Sequence, residues 1–348
     1  MDFKSLFLIL FFLLRFASSS EGQSDVENTK ELDLSKYEAS SLNRLNIPIV
    51  QGVSSSISIP VIILKGKRQG PTIGIVAGIH GNEVNGIAII HELVNKINTE
   101  ELSGTIVFIP GINTPGIERN QREYINDEDL NRLFPGKAQG TESQQFAYHF
   151  YHKVISKTEI LLDLHTASFG RENSLYIRAS KEDTLIWGMA LAHGSDILLN
   201  SDGTPSAANS GSGETLRAWA IRNNIPAITI EYGNPQVFQE SMIHKGAIGI
   251  TNILCYLQML KKKEKLPIEN PVLCKKSYWI YTDKGGFLYD VPPLKKRVSK
   301  GDIIGTLKDS YGRIITTYYA PEKGIIIGRS SNPVAQSGSR IIHLGIEP

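Results

Sequence analysis

Three short apolar segments in this chain each end on a side chain that can bind a metal or carry a proton. Thr72–Ile79 runs into His80-Gly81-Asn82-Glu83, Leu161–Leu164 into His165, and Pro226–Ile230 into Glu231. Runs of this length, rich in Ile and Val, form strands. Ile57–Leu64, Thr105–Pro110 and Leu175–Ala179 read the same way. Between them lie helical patterns. Val84, Ile87, Ile90, Val94 and Ile97 recur every three or four residues, and Gly104 closes the segment. Thr141–Lys157, residues 182–193, Glu214–Asn223 and Glu240–Lys263 supply further helices. Strands alternating with helices predict an α/β fold: a mixed, mainly parallel sheet flanked by helices on both faces.

The pattern changes near residue 262, where Lys261–Lys265 forms a charged stretch ahead of Pro267. The lysines read as a solvated helix end. Beyond them come short strands and turns without a helical pattern, so residues 263–348 are expected to form a small all-β domain and residues 46–262 the main one. Residues 21–45 are polar and read as a linker. At the other end, Leu6–Leu14 is continuously apolar and is followed by Ala17-Ser18-Ser19-Ser20. That run is shorter than the roughly 20 residues a membrane span needs. Residues 1–20 therefore read as a signal peptide, with a retained anchor as the alternative. Export to the periplasm or secretion follows as an expectation. No other segment approaches a membrane span.

Charge and cysteine content narrow the chemistry. The 37 basic and 35 acidic residues nearly cancel, leaving no overall field to draw the chain onto nucleic acid. The cysteines are only two, Cys255 and Cys274, with no Cys-x-x-Cys pair, so a metal here is held by nitrogen and oxygen. Whether the two pair with each other is open. His80 and Glu83 lie three apart across a glycine turn, where they can converge on one cation. The plainer reading is a strand cap and a glutamate at the helix dipole. His165, ending another strand, makes a three-ligand set that leaves zinc's fourth position for water, the arrangement of a hydrolytic site.

Asp163 shares a strand face with His165, because side chains alternate. It is either the acceptor that orients a ligand imidazole or part of an ordinary buried ion pair. Glu231 closes an apolar strand, and near a metal-activated water it would act as general base; the alternative is a solvent-facing strand end. Asn131 and Arg132 sit side by side before a turn, and the planar fork of Arg132 suits a carboxylate. Arg119 and Arg122 lie in a polar loop upstream. Arg122 is taken as the group that stabilises a developing oxyanion.

His80-x-x-Glu83, Asp129-Leu130-Asn131-Arg132, Leu164-His165-Thr166 and Ile230-Glu231, in this order, resemble the succinylglutamate desuccinylase/aspartoacylase family of the zinc-carboxypeptidase superfamily. The likeness spans roughly residues 55–260. Gly285-Gly286-Phe287, Val298-x-Lys300-Gly301-Asp302, Ala320-Pro321-x-x-Gly324 and Gly338–Leu344 are similar to the barrel-sandwich domain of its exported "predicted deacylase" members. The resemblance implies that one zinc ion is held by His80, Glu83 and His165. It further implies that Glu231 activates water and that Asn131 and Arg132 bind a substrate carboxylate, with Arg178 a candidate either for a second contact or for a surface ion pair. His91, His149, His152, His193, His244 and His343 read as structural or solvent-facing.

The function this implies is zinc-dependent hydrolysis of an amide in an N-acylated amino acid or related small carboxylate. The rivals are a carboxypeptidase acting on peptides or cell-wall stem peptides, and an exported zinc-site protein that binds without turnover. The expected partner is a small-molecule N-acyl amino acid, and a second copy of the chain is left open.

Overall fold

The computed structural model describes residues 26–203, 213–261 and 270–348. The apolar leader, residues 21–25 and the lysine run from Lys262 onward lie outside them. A ten-stranded sheet forms the centre. In spatial order its strands are Val26–Asn28, Ser41–Gln51, Ser56–Lys65, Ser103–Ile109, Arg68–Ala77, Ile160–His165, Ala227–Tyr232, Leu175–Ala179, Ile197–Asn200 and Val272–Cys274. Six of the nine neighbouring pairs are parallel, so the sheet is mixed and mainly parallel.

The central strands are apolar along their whole length because both faces are covered. Side-chain alternation divides them between two cores. Val76 and Leu161 join Phe146, Phe150 and Leu216 on one side. Ile75, Leu162, Leu164 and Ile230 join Ile89, Ile90 and Ile250 on the other. Helix Glu142–Lys153 begins with a reciprocal cap, Thr141 and Gln144 each accepting from the other's backbone N–H. Helices Asn85–Lys96 and Thr184–His193 both pack against Glu240–Tyr256.

The structure corrects the expected boundaries in three places. First, residues 26–45 are not linker: Val26–Asn28 and Ser41–Gln51 form one edge of the sheet. Leu45, Ile47 and Ile49 alternate inward there, and the register shifts between Pro48 and Val50, which accommodates the proline. Second, the last helix stops at Tyr256 rather than near 263, and Gln258 turns the chain with a φ of 59°. Third, Val272–Cys274 pairs with Ile197–Asn200 as the far edge of the main sheet, so the β domain begins after it.

That domain is a sandwich of two antiparallel sheets. One holds Lys276–Tyr281, Arg340–Ile346, Gly324–Ser330 and Arg297–Val298; the other holds Ile314–Tyr319, Ile303–Lys308, Gly286–Tyr289 and Val334–Ala335. Leu288, Ile304, Leu307, Ile326 and Ile341 fill the space between. The two domains are stitched together. Arg171–Asn173, from the main domain, adds a strand to Gly324–Ser330, and Tyr176, Leu199, Cys274, Ile325 and Ile327 share one buried cluster. Cys274 is a buried free thiol.

Candidate metal centre and active site

Arg68–Ala77, Ile160–His165 and Ala227–Tyr232 are parallel neighbours, so their C-terminal ends open on the same edge, where sheets of this kind place their ligands. Glu231 lies in register with His165, which puts both side chains on one face. His80 and Glu83 follow the first strand in a turn that needs glycine. A side chain at Gly81 would stand 2.0 Å from the Gly116 carbonyl carbon. The helix that starts at Asn85 then fixes Glu83 just ahead of its first turn.

His80, Glu83 and His165 are buried, and one donor atom from each lies within 4.8 Å of the others. Tetrahedral zinc ligands with bonds of about 2.1 Å stand roughly 3.4 Å apart, so small shifts close the set around one ion. Both imidazoles turn Nδ1 toward Glu83, at 2.9 Å in each case. His80 Nδ1 makes no hydrogen bond despite that approach. A buried ring nitrogen aimed at a carboxylate oxygen without bonding to it is what a shared cation between them requires.

Each ring is held from behind by an aspartate. His80 Nε2 meets Asp129 Oδ1 at 3.1 Å, and His165 Nε2 meets Asp163 Oδ2 at 3.0 Å. An Nε2–H donated to a carboxylate leaves the Nδ1 lone pair for a metal. Of the two readings of Asp163, the geometry matches the one that orients His165. Electrostatics agree in direction. Burial opposes charge on Glu83, but His80 and His165 outweigh it and hold its carboxyl well below the usual range. Burial likewise opposes charge on His165, yet Asp163 and Glu83 hold its proton affinity well above that of ordinary histidine. The cluster draws in positive charge.

The loop after Ser103–Ile109 delivers Arg122. Asn113, fully buried, accepts from Gly116 N–H and donates to the Glu123 carbonyl, which folds the loop back on itself. Arg122 then donates to Glu83 Oε1 at 3.0 Å, to Asp129 Oδ2 at 2.8 Å and to Ser168 Oγ. Ser168 Oγ and Thr166 N–H also donate to Glu83, at 2.8 and 3.1 Å. Arg122 thus stands directly against the Glu83 carboxylate of the candidate metal cluster.

Asn131 accepts from Leu216 N–H through Oδ1 at 2.8 Å, which leaves its Nδ2 facing His165 Nε2 at 3.4 Å. Arg132 donates to the Asn131 carbonyl and, among the described residues, to no carboxylate. Glu231 Oε2 accepts from Asn173 Nδ2 at 3.1 Å. Burial raises its proton affinity, offset in part by His165 and Arg178. Arg178 is not on the surface; it donates to Tyr176 OH at 3.1 Å and lies 5.3 Å over that ring. The expected site residues all come to this one edge.

The other histidines divide. His91, His152 and His244 are exposed and His149 is half-buried, whereas His193 and His343 are buried. The sequence reading assigned no role to Asp129, Ser168, Asn173 or Tyr176. Asp129 heads the segment containing Asn131 and Arg132 and was the most findable. Asn173 reaches Glu231 only because its short strand is captured by the β domain, a contact with no local signature.

Comparison with known proteins follows the same line. The model of the succinylglutamate desuccinylase/aspartoacylase catalytic domain matches residues 69–257. Over 125 residues the chain is 31% identical to the N-alpha-acetyl-L-2,4-diaminobutyric acid deacetylase of Halomonas elongata, covering 35% of this chain and 36% of that one. Over 115 residues it is 30% identical to the succinylglutamate desuccinylase of Pseudomonas aeruginosa, covering 30% and 33%. The matches thus span about a third of the length of these curated relatives. Among solved structures, the product-bound ectoine utilization protein EutE (DoeB) of Ruegeria pomeroyi superposes with a TM-score of 0.76 at 20% identity, over 88% of this chain and 95% of that one. The succinylglutamate desuccinylase/aspartoacylase of Rhodobacter sphaeroides gives 0.78 at 18%, over 92% and 100%. At these identities the likeness is one of fold.

Proposed function

The chain belongs to the succinylglutamate desuccinylase/aspartoacylase family, and from that premise we propose that it is a zinc-dependent deacylase. Its reaction would be hydrolysis of the amide bond of an N-acylated amino acid or a related small carboxylate. The observation that carries this reading is the His80–Glu83–His165 cluster, with each imidazole backed by its own aspartate and Glu231 beside it. The relatives whose names include deacetylase and desuccinylase support the class of reaction.

A zinc ion in that cluster would polarise the scissile carbonyl and bring the pKa of a water molecule down to about 7. The chain's own groups do the rest. Glu231 takes the proton of the attacking water and passes it to the departing nitrogen, for which a carboxylate of raised proton affinity is suited. Asn173 holds Glu231 in place through Oε2. Arg122 keeps positive charge beside Glu83 and would stabilise the developing oxyanion. Arg132, with no carboxylate partner among the described residues, takes the substrate's α-carboxylate, and Asn131 assists through Nδ2.

Glu231→Gln tests this reading. The variant is expected to retain stoichiometric metal, measured by elemental analysis, while kcat on N-acyl amino acids falls about 10²–10⁴-fold. Full activity in that variant overturns the base assignment. Stoichiometric metal with no turnover by the wild type on any N-acyl amino acid would favour the binding protein instead. Export rests on the leader-like residues 1–20, and amino-terminal sequencing of the mature protein tests it.

A further inference from the structure

The second sheet of the β domain is apolar on both faces, and only one of them is covered. Leu288, Ile304 and Leu307 point into the core of the sandwich. Their neighbours along each strand point the other way. Register sorts those neighbours into rows. Val334, Phe287, Lys308 and Ile314 lie side by side across all four strands. Tyr289, Thr306 and Thr317 form the next row, and Ile303 faces Tyr319 beyond it. The six large apolar and aromatic side chains in these rows are each 41–66% exposed. A sheet face left in water ordinarily carries polar residues, and a contiguous apolar one marks a contact surface.

The main domain is not that contact. It is met by the first sheet, whose Ile325 and Ile327 join the cluster shared by the two domains. On the same sheet, the Trp279 ring has the guanidinium groups of Arg171 and Arg340 at 5.8 and 5.5 Å. Ile326, between those isoleucines, turns instead to the core beneath Leu288 and Leu307. The second sheet is therefore the outer layer of the sandwich, with its apolar rows turned away from the main domain.

Area and charge decide what covers these rows. Four strands about 4.8 Å apart, none longer than six residues, present less than about 400 Å² in projection. A stable pair of proteins buries about 800 Å² on each partner, so this face alone would hold a second copy weakly. Charge opposes a second copy as well. Residues 276–348 contain eleven lysines and arginines against six acids, although the whole chain is nearly neutral. The one charge within the rows is Lys308, whose Nζ lies 4.5 Å from the centre of the Tyr289 ring. Exposed Lys284, Lys300 and Lys323 stand in turns near the ends of the strands. Two acids of the same turns, Asp309 and Glu322, are already paired with Arg313 and Lys276. Tyrosine and lysine beside apolar side chains suit a lipid interface, because each keeps a polar tip in water while its body lies against acyl chains.

We propose that this face docks on the surface of a bilayer that contains anionic lipids. Phe287, Ile303, Ile314, Val334 and the two tyrosines enter the boundary between headgroups and acyl chains, and the lysines stay among the headgroups. The contact is peripheral: among the described residues no helix is long and apolar enough to cross a bilayer. Docking of this kind is independent of the reaction at the metal cluster, which belongs to the main domain.

Vesicle flotation with the full chain tests it, using phosphatidylcholine vesicles with and without phosphatidylglycerol. The wild type is expected to partition onto the anionic vesicles at least about tenfold more strongly than onto the neutral ones. Phe287→Ser combined with Ile314→Ser should lower that partitioning at least about tenfold, and Lys308→Gln about fivefold. The substituted side chains are exposed, so melting temperatures should match the wild type. Should the double variant melt lower, Ile314→Ser alone, at the most exposed of the six positions, takes its place. Any binding through the apolar leader is common to wild type and variants, so equal partitioning of the two overturns the docking face. So does failure to bind either kind of vesicle, or equal binding to both. If analytical ultracentrifugation shows a dimer that the double variant does not form, the face belongs to a second copy and the bilayer is excluded.

Discussion

At the metal cluster, charge is matched group by group: two imidazoles, each between Glu83 and an aspartate, and Arg122 spanning Glu83 and Asp129. At the neighbouring arginine group, Arg132, Arg171, Arg178 and Arg340 form no ion pair among the described residues. The same sheet edge serves both, so the difference is not one of exposure or fold. A matched cluster is organised before any ligand arrives and tolerates burial because its charges compensate one another. An unmatched one keeps its hydrogen-bonding capacity for a molecule from outside. Arg122 and Arg132 lie ten residues apart in one loop region and fall on opposite sides of this divide.

Removing these two arginines should therefore have different consequences. Arg122→Ala takes away a hydrogen bond to Glu83 and, on the proposed mechanism, the charge beside the oxyanion. It is expected to lower kcat by about 10²–10³-fold, as loss of one oxyanion donor does, and to weaken metal binding as well. Arg132→Ala should leave metal affinity unchanged and raise KM by about 10–100-fold, the range for a lost hydrogen bond to a charged group. Steady-state kinetics with chelator competition separates the two. If Arg122→Ala changes KM alone, Arg122 belongs with the substrate arginines and the contrast dissolves.

A smaller effect sharpens the matched side. Asp163 donates nothing to substrate; it holds His165 by Nε2 at 3.0 Å. Asp163→Asn keeps the shape but loses the acceptor charge, so metal affinity should drop about 10–100-fold. Turnover at saturating zinc should recover most of the wild-type rate. A variant whose affinity is unchanged would make Asp163 an ordinary buried charge.

How far the sequence discloses this site follows from the range of the forces involved. His80, His165 and Glu231 were legible because each ends an apolar strand, and parallel strands in one sheet must open their ends on a common edge. Glu83 was legible from its three-residue spacing to His80. Helix Glu142–Lys153 was legible from periodicity, although it breaks at Val154 and finishes as a short 3₁₀ turn at Ile155–Lys157. The strand Ser41–Gln51 was missed because Pro48 interrupts its alternation, and only the register shift seen in three dimensions excuses it. Arg171, Trp279 and Arg340 were out of reach for a different reason. They meet through the pairing of Arg171–Asn173 with a strand more than 150 residues away, which no local pattern encodes.

Behind the site, His193 offers the mildest test, because it lies outside both clusters and probes the core on which they rest. His193 Nε2 and the Tyr232 hydroxyl share a hydrogen bond at 2.8 Å, while Nδ1 has no partner among the described residues and the ring is fully buried. Burial pushes its pKa down to about 3. In the unfolded chain an ordinary histidine takes up a proton near pH 6.5. Above that pH neither state is protonated, and His193 makes stability no more pH-dependent. As pH falls below 6.5, only the unfolded chain gains the proton, so stability declines by about 1.4 kcal/mol per pH unit until the folded pKa near 3 is reached. At pH 5 the loss amounts to about 2 kcal/mol. His193→Gln, which keeps an acceptor for Tyr232, should remove that slope. Its denaturant midpoint would then fall less than that of the wild type between pH 7 and pH 5. Parallel declines in the two proteins would mean that the acid sensitivity originates in the metal cluster rather than in the core beneath Tyr232.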